Sequence, residues 1–193
     1  KVMLKNCEKR KCKEELFKNG VVQIKNLLDV EGIDLLNLAI QKTIENPSPF
    51  GSEVKSQKKN GKFFMDFNNW KRLPEVFDVC KLSIILEAIK SLTGSTDCWL
   101  FHDHVLVKEG KSIATPWHHD RPYYIFEGEM NLSVWMPTSD VSRESSLVFW
   151  KGSHKTKDLY MPKAFGNGKE LEKSRDYLVF DETVIPKGEI LDF

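Results

Sequence analysis

With 193 residues the chain is long enough for one domain with a substantial core. A content of 40% hydrophobic and 30% charged residues argues against a disordered or fibrous protein. The net charge of +1, from 29 basic and 28 acidic residues, argues against a dedicated nucleic-acid or anionic-membrane surface, which needs a clear basic excess.

No apolar run approaches the roughly 18 residues of a membrane span, and no signal-peptide pattern is present. Cys7, Cys12, Cys80 and Cys98 show no CxxC pairing and no zinc-finger spacing, so a reduced, intracellular (cytoplasmic) setting is the simplest expectation. Cys80 and Cys98 lie in apolar surroundings and are expected to behave as small core residues. The chain starts at Lys1 without an initiator Met and stops at Asp192-Phe193 without a polar tail, which reads as a fragment of a longer polypeptide.

In chain order, residues 11–19 read as a short helix stopped by Gly20, and Val21 to Lys25 as a strand rich in β-branched residues. Asp29 is the expected N-cap of a helix to about Asn46, with Ile33, Leu36, Ile40 and Ile44 at helical spacing and Pro47 ending it. Lys55 to Lys62 reads as a solvated loop, and Phe63 to Phe67 as a buried aromatic stretch. Pro74 to Leu92 is helical in two pieces that meet near Leu82-Ser83, with Gly94 after the end. The chain then changes character near Asp97. An α-rich entry (1–96) and a β-rich body (97–193) within one domain is the expected organisation.

Cys98 to Lys108 alternates as a strand, with His102, His104 and Lys108 on one face. Further strands are expected at Met130–Met136, with Asn131, Ser133 and Trp135 on one face, and at Ser146–Trp150, Tyr177–Phe180 and Glu189–Phe193. Lys151 to Lys155 and Pro186-Lys187-Gly188 read as turns.

The chemistry concentrates in Thr115-Pro116-Trp117-His118-His119-Asp120. In an extended segment His118 and Asp120 point to one face, giving an imidazole and a carboxylate that can converge on one ion. These are two thirds of a 2-His-1-carboxylate triad, which holds Fe(II) and leaves positions open for co-substrate and oxygen. Taken alone, a His-x-Asp pair reads equally as surface polar residues or as a histidine hydrogen-bonded to a carboxylate. His102-x-His104 keeps open a cupin-like metal site of other chemistry.

The runs VLVKEGKSIATPWHHDRPYY, LSVWMPTSDVSRESSLVFWKGSHK and PKGEILDF, together with LFKNGVVQIKNLLDVEGIDLLNLAI, resemble the phytanoyl-CoA dioxygenase family over most of the chain. The resemblance implies an α+β, mainly β fold. Its core is a double-stranded β-helix (jelly-roll, cupin-like) with N-terminal helices packed on it, and its C-terminal part is missing here. It also implies an Fe(II)- and 2-oxoglutarate-dependent dioxygenase that uses O2 to hydroxylate a small organic or acyl substrate. Position by position, it makes His118 and Asp120 the first two iron ligands. It places His119, Trp135, His104 and Lys108 about the 2-oxoglutarate pocket. Trp117, Arg121, Tyr123 and Tyr124 flank the ligands as candidate substrate contacts, with core and rim packing as the alternative role. His154 matches a turn histidine that is structural or near the site in the family, although it is the only downstream histidine left to serve as a ligand. The third ligand and the 2-oxoglutarate arginine are expected beyond Phe193. A rival expectation is a non-catalytic β-helix module that binds a ligand with a partial triad.

Overall fold

The computed structural model describes residues 6–56, 61–110, 114–128, 130–165, 168–171, 177–185 and 190–192. Helices α1 (Asn6–Asn19), α2 (Val30–Glu45), α3 (Pro74–Cys80) and α4 (Ser83–Thr93) fill the first half, together with strands β1 (Ser52–Ser56) and β2 (Gly61–Phe67). Strands β3 (His104–Glu109), β4 (Val148–Trp150) and β5 (Ile190–Asp192) follow. The architecture is mixed α and β with two small antiparallel sheets, ordered β1-β2-β3 and β4-β5. The described residues do not form a closed jelly-roll.

The helices follow their local chemistry. Asp29 caps α2 by accepting the Gly32 N–H at 3.0 Å. Gly20 ends α1 at φ 84°, and Gly94 ends α4 at φ 79°, left-handed values that favour glycine. Pro74 occupies the first turn of α3, where its missing N–H leaves no bond unmade. Leu36 and Ala39 of α2 pack with Leu73, Val76 and Val79 at α3, and Cys80 and Met136 lie against this cluster. This cluster sits in the α-rich half and reaches the β-rich half through Met136, while Met161 is buried within the β-rich half.

Several expectations need correction. Val21 to Lys25 forms no strand, and the chain turns at Asn26 with φ 55°. At the ends of the stretch read as a solvated loop, Lys55 and Ser56 belong to β1 and Gly61 and Lys62 to β2, with Lys55 opposite Lys62; residues 57–60 lie outside the described residues. β1 carries little apolar alternation, and its extended form comes from the ladder it makes with β2. The strand expected from Cys98 begins only at His104. Its partner β2 stops opposite His104 at Phe67 and turns away at Asn68, which has φ 63° and whose N–H donates to the Asp103 carbonyl at 3.1 Å. Residues 98–103 thus have no ladder to join, Cys98 is exposed rather than in the core, and Trp99 is 94% exposed.

Met130–Met136 and Tyr177–Phe180 likewise form no strand, apart from one parallel bridge between Tyr160 and Leu178. Alternation fixes which face a side chain takes, but a strand also needs a neighbouring backbone. Pro186-Lys187-Gly188 lies outside the described residues. Among the described residues no helix is long and apolar enough to cross a membrane.

β2 ties the helical half to the β-rich half. Phe63 is buried, and Asp66 is fully buried with three local donors on its carboxylate: the N–H groups of Ser48 and Phe67, each at 2.8 Å, and the Ser48 hydroxyl. Pairing of β2 with β3 sets Phe63 opposite Lys108 and Phe67 opposite His104, which carries the order of the helical half to two candidate site residues.

Candidate metal centre

The segment around His118 is not paired into a sheet, yet its side chains alternate as the sequence implies. His118 and Asp120 face one environment, built by Tyr123, Tyr124, Ser133 and Phe165. Trp117 and His119 face another, where Trp117 lies 6.3 Å from the Phe180 ring and His119 5.6 Å from Tyr160.

His118 Nδ1–H donates to the Pro116 carbonyl at 2.8 Å, a bond that fixes the tautomer and leaves the Nε2 lone pair outward. Nε2 lies 3.5 Å from Asp120 Oδ1. The other carboxylate oxygen, Oδ2, accepts from Ser133 Oγ at 2.8 Å and from Tyr124 OH at 3.2 Å. At this distance the two groups can share a proton, as an imidazolium–carboxylate pair, or a cation. The electrostatics of the pair agree. The hydrogen bond with His118 is the main influence holding the Asp120 carboxyl at about 2; burial opposes it, and Ser133 and Tyr124 assist. Burial alone would lower the His118 pKa, but the hydrogen bond to Asp120, the Pro116 carbonyl and the Asp120 charge raise it above the ordinary imidazole value.

The donor set fits a metal ion. The 3.5 Å separation of Nε2 and Oδ1 is short enough for both to ligate one ion. One imidazole and one carboxylate suit Fe(II), Mn(II) or Zn(II). Among the described residues no set of three or more His, Cys, Asp or Glu side chains is placed to hold one ion together. The His102-x-His104 alternative therefore finds no third donor there.

The remaining expected residues take varied positions. His104 stacks parallel to Phe165 at 6.2 Å and meets Phe67 edge-on at 5.8 Å, while His102 lies 6.2 Å from His104 and 5.7 Å from Tyr124. Burial is the main influence lowering both imidazole pKa values, which favours their neutral forms. Lys108 Nζ donates to Thr115 Oγ1 at 2.7 Å and lies 4.9 Å above the Phe63 ring, which ties β3 to the start of the ligand segment. Burial lowers its pKa from the usual lysine value.

His119 does not point its Nε2 outward. That atom accepts the Tyr160 N–H at 3.0 Å. Tyr123 OH donates to the Lys163 carbonyl at 2.8 Å and also accepts the Lys163 N–H, pinning the loop that carries Phe165. Arg121 reaches Glu127 at 3.9 Å on the surface, and Trp135 is half-exposed two residues beyond Ser133.

His154 has a structural role. Its Nε2 bonds to the Phe17 carbonyl at 3.2 Å, and Gly152 N–H donates to the Asn19 carbonyl at 2.8 Å, docking the turn onto the end of α1. A side-chain carbon on Gly20 would overlap the His154 ring. Two residues of the site carried little sequence signal. Ser133 was visible only as a face-mate of Trp135, and Phe165 sits in a Lys- and Gly-rich run that reads as a plain solvent loop.

No curated protein and no solved structure matches the chain. The family model of phytanoyl-CoA dioxygenase (PhyH) matches residues 16–188, so the chain belongs to that family of Fe(II)- and 2-oxoglutarate-dependent oxygenases.

Proposed function

We propose that the chain is an Fe(II)- and 2-oxoglutarate-dependent dioxygenase that hydroxylates an unactivated C–H bond of a small organic or acyl substrate, with succinate and CO2 as co-products. The observation that carries this reading is the convergence of His118 Nε2 and Asp120 Oδ1 at 3.5 Å, with each group's other polar atom already engaged. In this reading the β-rich half belongs to a double-stranded β-helix and residues 1–193 to one cytoplasmic oxygenase domain. A histidine as third ligand and an arginine for the far carboxylate of 2-oxoglutarate complete the set in this reading.

His118 and Asp120 hold the iron, which together with 2-oxoglutarate and O2 supplies the oxidising power for the hydroxylation. The chain's own residues set the environment. The Pro116 carbonyl keeps the His118 proton on Nδ1, so that Nε2 remains a donor. The rings of His104 and Phe165 stand beside the ligand face, Phe165 in contact with both His104 and His118. Lys108 offers a cation for a co-substrate carboxylate, whereas His119, turned to Tyr160, supports the ligand segment from its other face. Arg121 retains surface reach and is the best placed of Trp117, Arg121 and Tyr123 to meet an anionic group on the substrate.

Anaerobic calorimetric titration with Fe(II) tests the reading. One equivalent bound by the parent protein, and none by His118→Ala or Asp120→Ala that remain folded by circular dichroism, is the expected result. Parent protein without iron uptake would remove the oxygenase reading and favour the ligand-binding module.

A further inference from the structure

Asp120 ends a short loop and is only partly covered, and a carboxylate in that situation can turn about its last torsion and bind a cation through one oxygen or both. Here it is not free to turn. Oδ2 accepts two hydroxyl hydrogens, from Ser133 Oγ at 2.8 Å and Tyr124 OH at 3.2 Å, while Oδ1 faces His118 Nε2 at 3.5 Å. The two hydroxyls lie 3.4 Å apart and converge on the same oxygen from two different segments of chain. Tyr124 delivers its hydroxyl rigidly. Its ring stacks on Phe126 at 5.5 Å and 6°, and meets Phe101 edge-on at 5.3 Å and His102 at 5.7 Å.

We propose that Tyr124 and Ser133 are positioning residues that occupy Asp120 Oδ2 and so commit Oδ1 alone to the metal. The inference rests on the iron reading above and adds the device that sets the carboxylate's binding mode. Its chemical purpose follows from the count of coordination positions. A carboxylate bound through both oxygens would take a position that 2-oxoglutarate or O2 needs, whereas single-oxygen ligation leaves three open beside a 2-His-1-carboxylate set. Hydrogen-bond partners of this kind change metal affinity when they are removed, although they never touch the ion.

The test uses Co(II), a spectroscopic stand-in for Fe(II), on the parent protein and on Ser133→Ala, Tyr124→Phe, the double variant and Ser133→Thr. The measurements are the Co(II) dissociation constant, the visible d–d spectrum and the thermal midpoint. The double variant is expected to bind Co(II) about 10- to 100-fold more weakly and to show a spectrum shifted by the changed carboxylate mode. Ser133→Thr, which keeps the hydroxyl, is expected to restore both affinity and spectrum relative to Ser133→Ala. Ser133 is exposed, so Ser133→Ala alone decides the matter should Tyr124→Phe disturb the fold. A parent that binds Co(II) and a double variant that binds it within about twofold, with the same spectrum, would overturn the positioning roles and leave the iron reading standing. A parent that takes up no Co(II) would overturn the iron reading and this proposal together.

Discussion

Asp66 offers the sharpest test of how the two halves are joined. Its carboxylate is fully buried beneath the β1–β2 hairpin. Oδ2 accepts the Ser48 N–H at 2.8 Å and Oδ1 accepts the Phe67 N–H at 2.8 Å, the Ser48 hydroxyl adds a third bond, and Arg72 approaches at 3.6 Å. Asp66→Ala leaves these donors without their acceptor. At about 1 kcal/mol for each unsatisfied group, the loss is about 3 kcal/mol, while Arg72 keeps its hydrogen bonds to Asn69 Oδ1 and the Asn46 carbonyl. For a protein of this size that amounts to a fall of about 6–12 °C in thermal midpoint, read by calorimetry or far-UV circular dichroism. The control is Asp78→Ala, which removes an exposed i,i+3 pair with Lys81 at 2.7 Å and is expected to cost under about 1 kcal/mol. Because β2 pairs directly with β3, Asp66→Ala is also expected to weaken iron binding as temperature rises, before global unfolding. Equal midpoints for the two variants would refute the assignment of Asp66 as the anchor of the hairpin.

Three further outcomes follow from the same geometry. Gly20→Ala forces a side chain into a left-handed backbone position and into the His154 ring, so it is expected to destabilise the protein by about 1–3 kcal/mol in a denaturant titration. His154→Ala is expected to cost about 1 kcal/mol of stability and to leave metal affinity unchanged; lost metal uptake with an intact fold would instead make His154 a ligand. In the metal-free protein, Asp120 has a folded pKa of about 2 against the ordinary 3.8, so its stabilising contribution is present above pH 3.8 and is lost as pH falls towards 2. His118 has the opposite sign. Its folded pKa is raised, so its contribution is complete below pH 6.5 and disappears as pH rises through the folded value. An NMR titration is expected to show the His118 pKa falling in Asp120→Asn, and metal affinity dropping about tenfold per pH unit once His118 protonates. A His118 pKa unmoved by Asp120→Asn would contradict the pairing.

The sequence was most informative where local chemistry decides structure. The Asp29 cap, the break at Leu82-Ser83 and the terminal glycines Gly20 and Gly94 depend on side chains and torsions a few residues apart. The missed strands depend on partners far along the chain. Met130–Met136 alternates as a strand should, but no described backbone lies beside it to complete a ladder. At the site, His118 and Asp120 lie 3.5 Å apart, a relation that spans only two residues. The hydroxyl of Ser133 on Asp120 spans 13 residues, and the contacts of Phe165 with His118 and His104 span still more, so neither carries a local signature. The aromatic run of β2 was legible as buried, while its role as the link to His104 and Lys108 emerged only from the register.

The most direct test of the central claim is an anaerobic titration of the protein with Fe(II) and then 2-oxoglutarate, following the visible metal-to-ligand charge-transfer band. The account predicts a band that saturates at one equivalent of each and is absent in His118→Ala. Iron-loaded protein that develops no band on adding 2-oxoglutarate would contradict it.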